Sequence, residues 1–295
     1  GYADRGSNAT TADSTSFESD LAHHKEGGMN TPFELAVCAE MQFLDLPLTE
    51  RVKRIGEFGI AAELWNWHEE HVDLEAIAAT GVPVLNMNAY ISGNLTDDED
   101  IEHFLDTAEQ GAIKSKILGK PRLNFHGTGL GEGGHPVKPV QVVTGAMWAK
   151  ATTTLLRLAD IAERHDVVYQ MENLNLPVDH AGTPFSHPDD VLALVKAVDS
   201  PRIRMNLDLY HAQIGDGNLI ATCEAALPYL GEVQVADVPG RCEPGTGEIN
   251  YRNVAKHLHA MGYTGTVCME AWAKHDSVNA IETFIETFAN LDDEE

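Results

Sequence analysis

The chain has 295 residues, with 46 acidic against 20 basic side chains and a formal net charge of −26. Proteins that bind nucleic acid neutralise phosphates with a basic stripe, so nucleic acid is not an expected partner. No apolar run approaches the ~20 residues that span a bilayer, and Cys38, Cys223, Cys242 and Cys268 lie far apart without a CxxC pair, which fits a reducing cytoplasm better than a zinc ribbon or disulfide framework.

Residues 1–30 are rich in Ser, Thr, Asp, Asn, Gly and Ala and carry almost no large apolar side chains, so they cannot bury enough surface to offset their ordering entropy. They read as a disordered or appended tail, with Met29 a candidate natural start, and 292–295 read as a short acidic end. Between them, β-rich runs alternate with longer amphipathic stretches. The expected strands are 34–40 (ELAVCAE), 60–65 (IAAELW), 82–88 (VPVLNMN), 121–126 (PRLNFH), 167–172 (VVYQME), 203–208 (IRMNLD), 232–237 (EVQVAD) and 265–271 (GTVCMEA). Helices are expected at 49–58, 72–80, 97–118, 144–165, 187–198, 216–229, 250–261 and 276–290. Ser186 and Pro188 form a start signal for the fifth of these, and Gly262 a stop signal after the seventh. Eight such repeats over 31–291 predict a single-domain α/β fold, a (β/α)8 TIM barrel. An open doubly wound sheet is the alternative, but the first strand is not followed by a GxGxxG turn.

In such a barrel the reactive groups project from the C-terminal strand ends. The last four expected strands carry Glu172, Asp208, Gln234 and Glu270 there, separated by 36, 26 and 36 residues, about one βα unit each. Converging carboxylates repel, and a divalent cation removes the conflict. An all-oxygen set suits Mg2+ or Mn2+ better than zinc. Taken singly, each of these residues reads equally as a helix cap or a solvated loop residue, so spacing alone leaves both readings open. Beyond Gln234 the chain turns through Pro239-Gly240 and Arg241 into a Gly-rich loop. Arg241 offers a planar fork for a carboxylate or phosphate, or else a surface ion pair. Trp65 and Trp67 fall on opposite faces of an extended segment, and one of them could wall a cavity.

The stretch QVADVPGRCEPGTGEINY (234–251), followed by GYTGTVCMEAW (262–272), resembles the C-terminal signature of the hydroxypyruvate isomerase family, within the xylose isomerase-like barrels. LDLYHAQIGDGNL (207–219) and YQMENLN (169–175) resemble the same family's preceding segments, and Glu63-Leu64-Trp65 and His126-Gly127 match it more loosely. The resemblance implies metal ligation by Glu172, Asp208, Gln234 and Glu270, with Glu172 and Glu270 also serving as acid and base. It implies a substrate-contacting His211, an anion-binding Arg241 and, more weakly, a substrate contact at His126. The implied cofactor is one divalent ion, Mg2+ or Mn2+. The implied reaction is conversion of hydroxypyruvate to tartronate semialdehyde (2-hydroxy-3-oxopropanoate) through an enediolate. A 2-oxo-tetronate isomerase or a ketose 3-epimerase would use the same residues, and a catalytically silent binding barrel is the alternative of another class. The implied partner is a small hydroxy-keto acid or sugar, and the sequence leaves open whether the chain forms a homo-oligomer. The chain departs from the family after Glu172, where Pro177-Val-Asp-His-Ala-Gly-Thr-Pro-Phe185 replaces an Asp-x-Pro-Gly-aromatic loop. That loop is expected to line the substrate cavity.

Overall fold

The computed structural model describes residues 29–292. The tail expected over 1–30, apart from its last two residues, and the acidic end beyond Asp292 lie outside the described residues.

Eight parallel strands form the barrel: β1 (Glu34–Cys38), β2 (Ala61–Glu63), β3 (Asn86–Asn88), β4 (Arg122–Phe125), β5 (Tyr169–Glu172), β6 (Ile203–Asp208), β7 (Leu230–Val235) and β8 (Thr266–Met269). The order β2-β1-β8-β7-β6-β5-β4-β3 is continuous, and β2 meets β3 through backbone bonds from Ala62 N to Pro83 O (2.9 Å) and from Leu64 N to Asn86 O (2.9 Å). Between and around the strands run α1 (Leu48–Gly56), α2 (Leu74–Ala79), α3 (Asp98–Ser115), α4 (Gly145–His165), α5 (Pro188–Val198), α6 (Leu209–Gly215), α7 (Leu219–Ala226), α8 (Tyr251–Ala260) and α9 (Ser277–Phe288).

Strand alternation sorts the side chains into two sets. Val37, Met87, Phe125, Met171, Leu207, Val233 and Met269 point outward and join one apolar core with the helices. The inward set is small or polar. Ala36, Ala61 and Cys268 pack together, so Cys268 is an interior residue. Around them Glu232, fully buried, accepts from Asn86 Nδ2 (3.0 Å) and Arg122 Nη2 (3.2 Å). A buried carboxylate needs such partners.

Helix starts follow from short polar caps. Asp73, Asp97, Thr144, Asn250 and Asp276 each accept a backbone N–H of the following first turn. Three details differ from the sequence expectation. Ser186 does not cap α5: its hydroxyl donates to Thr183 O (2.8 Å), and His187 takes the cap position before Pro188. The helix expected at 216–229 begins earlier and breaks. The Asp208 side chain caps α6 by accepting from His211 N (2.9 Å), and Gly217 and Asn218, both at positive φ (70° and 52°), separate α6 from α7. The first and last strands are also shorter than expected, so Glu270 stands just past β8.

Candidate active site

Parallel pairing sets the register of the four strand-end residues. Asp208 lies opposite Gln234, Gln234 opposite Cys268, and Glu172 opposite Asn206, two residues before Asp208. All four, Glu270 included, are therefore at one end of the barrel, and all are buried. Glu172, Asp208 and His211 each offer an atom within 4.8 Å of the other two, a grouping that could hold a metal ion. Gln234 contributes a carbonyl oxygen, Oε1, that is buried without a hydrogen-bond partner among the described residues, while its Nε2 points to Glu63 Oε2 (3.5 Å). Arg241 Nη2 lies 3.1 Å from Glu270 Oε2 and 3.6 Å from Asp208 Oδ2, and its guanidinium stacks over the Tyr210 ring at 4.7 Å.

The electrostatics are those of a crowded anionic cluster. Burial, and after it the charge of Glu270, push the Glu172 carboxyl up to about 8. Burial raises Asp208 well above the ordinary carboxylate range, against the opposing pull of Arg241. An orphaned buried amide oxygen beside carboxyls that resist ionisation fits a hard divalent cation bound through oxygen.

The histidines are held in definite tautomers by their neighbours. Asn175 Oδ1 accepts from Val178 N and Asp179 N (3.1 Å each), so its Nδ2 donates to His211 Nδ1 (2.7 Å). Burial, then the Arg241 charge, hold His211 well below its usual pKa, so the neutral ring carries its proton on Nε2. That N–H faces Glu172 Oε1 (3.8 Å) and Asp208 Oδ2 (3.7 Å), so in this tautomer His211 is a donor directed at the carboxylates. Tyr90 donates to Thr128 O (2.9 Å), so His126 Nδ1 donates to the Tyr90 oxygen (3.0 Å). Burial pushes His126 down to about 4, leaving the Nε2 lone pair 3.1 Å from Glu172 Oε2, where a protonated Glu172 can donate.

These groups line a cavity of about 490 Å³. Its wall includes Trp65, Asn88, Asn124, His180, Arg241 and Trp272, while Trp67 is buried in the apolar core. Of the sequence-derived residues, Glu172, Glu270, His211, Arg241 and His126 line the cavity; Asp208 and Gln234 lie in the barrel wall beside it. Several functional neighbours escaped sequence reasoning. Asn124 Nδ2 donates to Glu172 Oε2 (2.7 Å), and its place two residues before His126, on the same strand face, was the available signal. Trp65, one of the two tryptophans read as a candidate cavity wall, does line the cavity, and its bond from Nε1 to Glu270 Oε1 (2.7 Å) is what the sequence did not show. Fully buried Asp237 accepts from Val238 N (2.9 Å), Gly245 N (2.9 Å) and Ile249 N (3.0 Å), which shapes the loop that carries Arg241.

Comparison with known proteins agrees with this architecture. A family model described as xylose isomerase-like TIM barrel matches residues 59–292. A human protein provisionally named hydroxypyruvate isomerase is 30% identical over 179 residues, which is 60% of this chain and 63% of that protein. A Haemophilus influenzae 2-oxo-tetronate isomerase is 38% identical over 95 residues, 32% of this chain and 37% of that protein. The crystal structure of an AP endonuclease, family 2, from Brucella melitensis superposes with a TM-score of 0.75 at 24% identity, covering 86% of this chain and 98% of that one. At that identity the likeness is one of fold. Among the described residues, no helix is long and apolar enough to cross a membrane.

Proposed function

Since this chain belongs to the xylose isomerase-like TIM barrel family, we propose that it is an isomerase of short hydroxy-keto acids, converting hydroxypyruvate to 2-hydroxy-3-oxopropanoate. The observation that carries the reading is the buried oxygen cluster with the unpartnered Gln234 Oε1, set against a cavity that holds a single guanidinium.

Glu172, Asp208, Gln234 and Glu270 would hold one Mg2+ or Mn2+, which supplies Lewis-acid stabilisation of negative charge on two adjacent substrate oxygens. The protein's own side chains do the rest. One of Glu172 and Glu270 takes the proton from C3 as the C3–H bond breaks, and a carboxylate returns a proton to C2 as the C2–H bond forms. The hydroxyl proton on O3 passes to O2, so the molecular formula is unchanged. His211, with its proton on Nε2, donates to a substrate oxygen. Arg241 is the one Arg or Lys among the described residues lining the cavity, and its buried Nε lacks a partner. It therefore has a donor left for a substrate carboxylate. That spare donor weighs against a 3-epimerase of a neutral ketose. A 2-oxo-tetronate isomerase is favoured as the second reading by a cavity in the range that takes drug-sized ligands.

The test is incubation with hydroxypyruvate and Mn2+ in D2O, followed by NMR. The expected result is formation of the aldehyde product with deuterium entering at C2 and C3. Glu172→Gln and Glu270→Gln should abolish turnover while leaving the fold intact, and near-normal turnover in either would remove it from the acid/base pair.

A further inference from the structure

We propose that His180 is a specificity-determining residue: it accepts a hydrogen bond from a substrate hydroxyl one carbon beyond the isomerised pair, a contact open to hydroxy-keto acids of four or more carbons and closed to hydroxypyruvate. This deepens the isomerase reading above and rests on it.

His180 lies in the loop that departs from the family pattern, and it is buried at the cavity wall. Its Nδ1 is 2.6 Å from Gly134 O. A carbonyl only accepts, so Nδ1 carries the proton. Burial, with the charge of Arg241 as a lesser cause, holds the ring below its usual pKa. Nε2 is therefore a bare acceptor, and no group among the described residues bonds it.

The loop that carries the ring is pinned by backbone bonds, and the ring itself by Gly134 O. His180 N donates to Asn175 O (3.0 Å), Thr183 N donates to His180 O (3.1 Å), and Val140 N from the neighbouring loop donates to Gly182 O (2.8 Å). Gly134 takes φ +76°, and a Cβ there would stand 2.9 Å from His180 Cε1, so glycine is needed for both the conformation and the contact.

Position and polarity together identify what Nε2 receives. His211, the donor facing the carboxylates, packs edge-on against His180 with centroids 5.0 Å apart. His180 thus stands beside His211 on the cavity wall. A substrate oxygen of the reacting pair meets the His211 N–H, and the next oxygen along the chain meets the His180 lone pair. A carboxylate or carbonyl has no hydrogen to give at that point, whereas a hydroxyl does. Hydroxypyruvate, with its oxygens committed to the cluster and to Arg241, has no hydroxyl left for His180 and fills a small part of about 490 Å³.

The experiment compares kcat/KM for hydroxypyruvate and for the four-carbon 2-oxo-tetronate in wild type and in His180→Asn, which keeps a donor for Gly134 O and removes the acceptor. Wild type should turn over both acids. The variant should lose about tenfold or more on it, mainly through KM, and less than about threefold on hydroxypyruvate. His180→Gln, which restores an oxygen near the Nε2 position, should recover part of the loss. Equal losses on both substrates, or none on the four-carbon acid, would overturn the assignment. If the Asn variant shows a lowered Tm, His180→Phe gives the same comparison. If wild type turns over neither acid, the isomerase reading fails instead. Calorimetric binding of the four-carbon acid in the presence of Mn2+ then tests His180 alone, and equal affinity of wild type and variant refutes its role.

Discussion

Trp65→Phe isolates the contact that orients Glu270. Trp65 Nε1 donates to Glu270 Oε1 at 2.7 Å, and the other oxygen receives Arg241 at 3.1 Å. Trp65 is itself anchored, with its backbone N–H donating to Glu40 Oε1 (2.8 Å) and its ring edge-on to Trp272, centroids 6.5 Å apart. Phenylalanine keeps the aromatic contact and the backbone anchor and removes the indole N–H. A hydrogen bond to a charged group contributes about 1.5–3 kcal/mol. If that orientation is used in the transition state, with about 1.4 kcal/mol per tenfold, kcat should fall roughly 10- to 100-fold. The assay is steady-state turnover of hydroxypyruvate at saturating Mn2+, with a thermal melt alongside. An unchanged kcat at unchanged Tm would refute the idea that Trp65 holds Glu270. A raised KM with normal kcat would make it a cavity wall instead.

Arg241→Ala should mainly raise KM for hydroxypyruvate, and an unchanged KM in steady-state kinetics would remove its anchoring role. Asp237→Ala leaves three backbone N–H groups without their acceptor, so it should cost about 3 kcal/mol or more in denaturant unfolding, and a loss below 1 kcal/mol would contradict the bracing of this loop. The pH dependence follows from Glu172, raised to about 8 from an unfolded value of about 4.3. In cation-free protein its stabilising contribution is complete below the unfolded value and is lost as pH rises toward 8. Cation binding needs the carboxylate, so calorimetry should show Mn2+ affinity rising up to about tenfold per pH unit and levelling off above about 8. A pH-independent affinity would contradict the raised carboxyl.

The barrel was legible because strand alternation is written in the sequence: apolar residues such as Val233 and Val235 face the helices while Glu232 and Gln234 face inward. The same alternation brings Glu172, Asp208 and Gln234 to one end. What was hidden depends on loops meeting in space. The tautomer of His180 is set by a carbonyl 46 positions away in the chain, and the partner of Glu270 by an indole 205 positions away. Neither has a local signature. Asp208 fills both of the roles the sequence left open: one oxygen caps α6, and the other faces the site. The polar interior built on Glu232 and Arg122 was equally invisible, since buried ion pairs join distant strands.

Anomalous diffraction from crystals soaked in Mn2+ is the most direct measurement of the oxygen cluster. The expected result is a single strong peak bounded by oxygens of Glu172, Asp208, Gln234 and Glu270, with Arg241 Nη2 withdrawn from Asp208. No peak at full Mn2+ occupancy elsewhere in the crystal, or a peak that excludes Gln234 Oε1 and takes His211 Nε2 as a ligand, would contradict it.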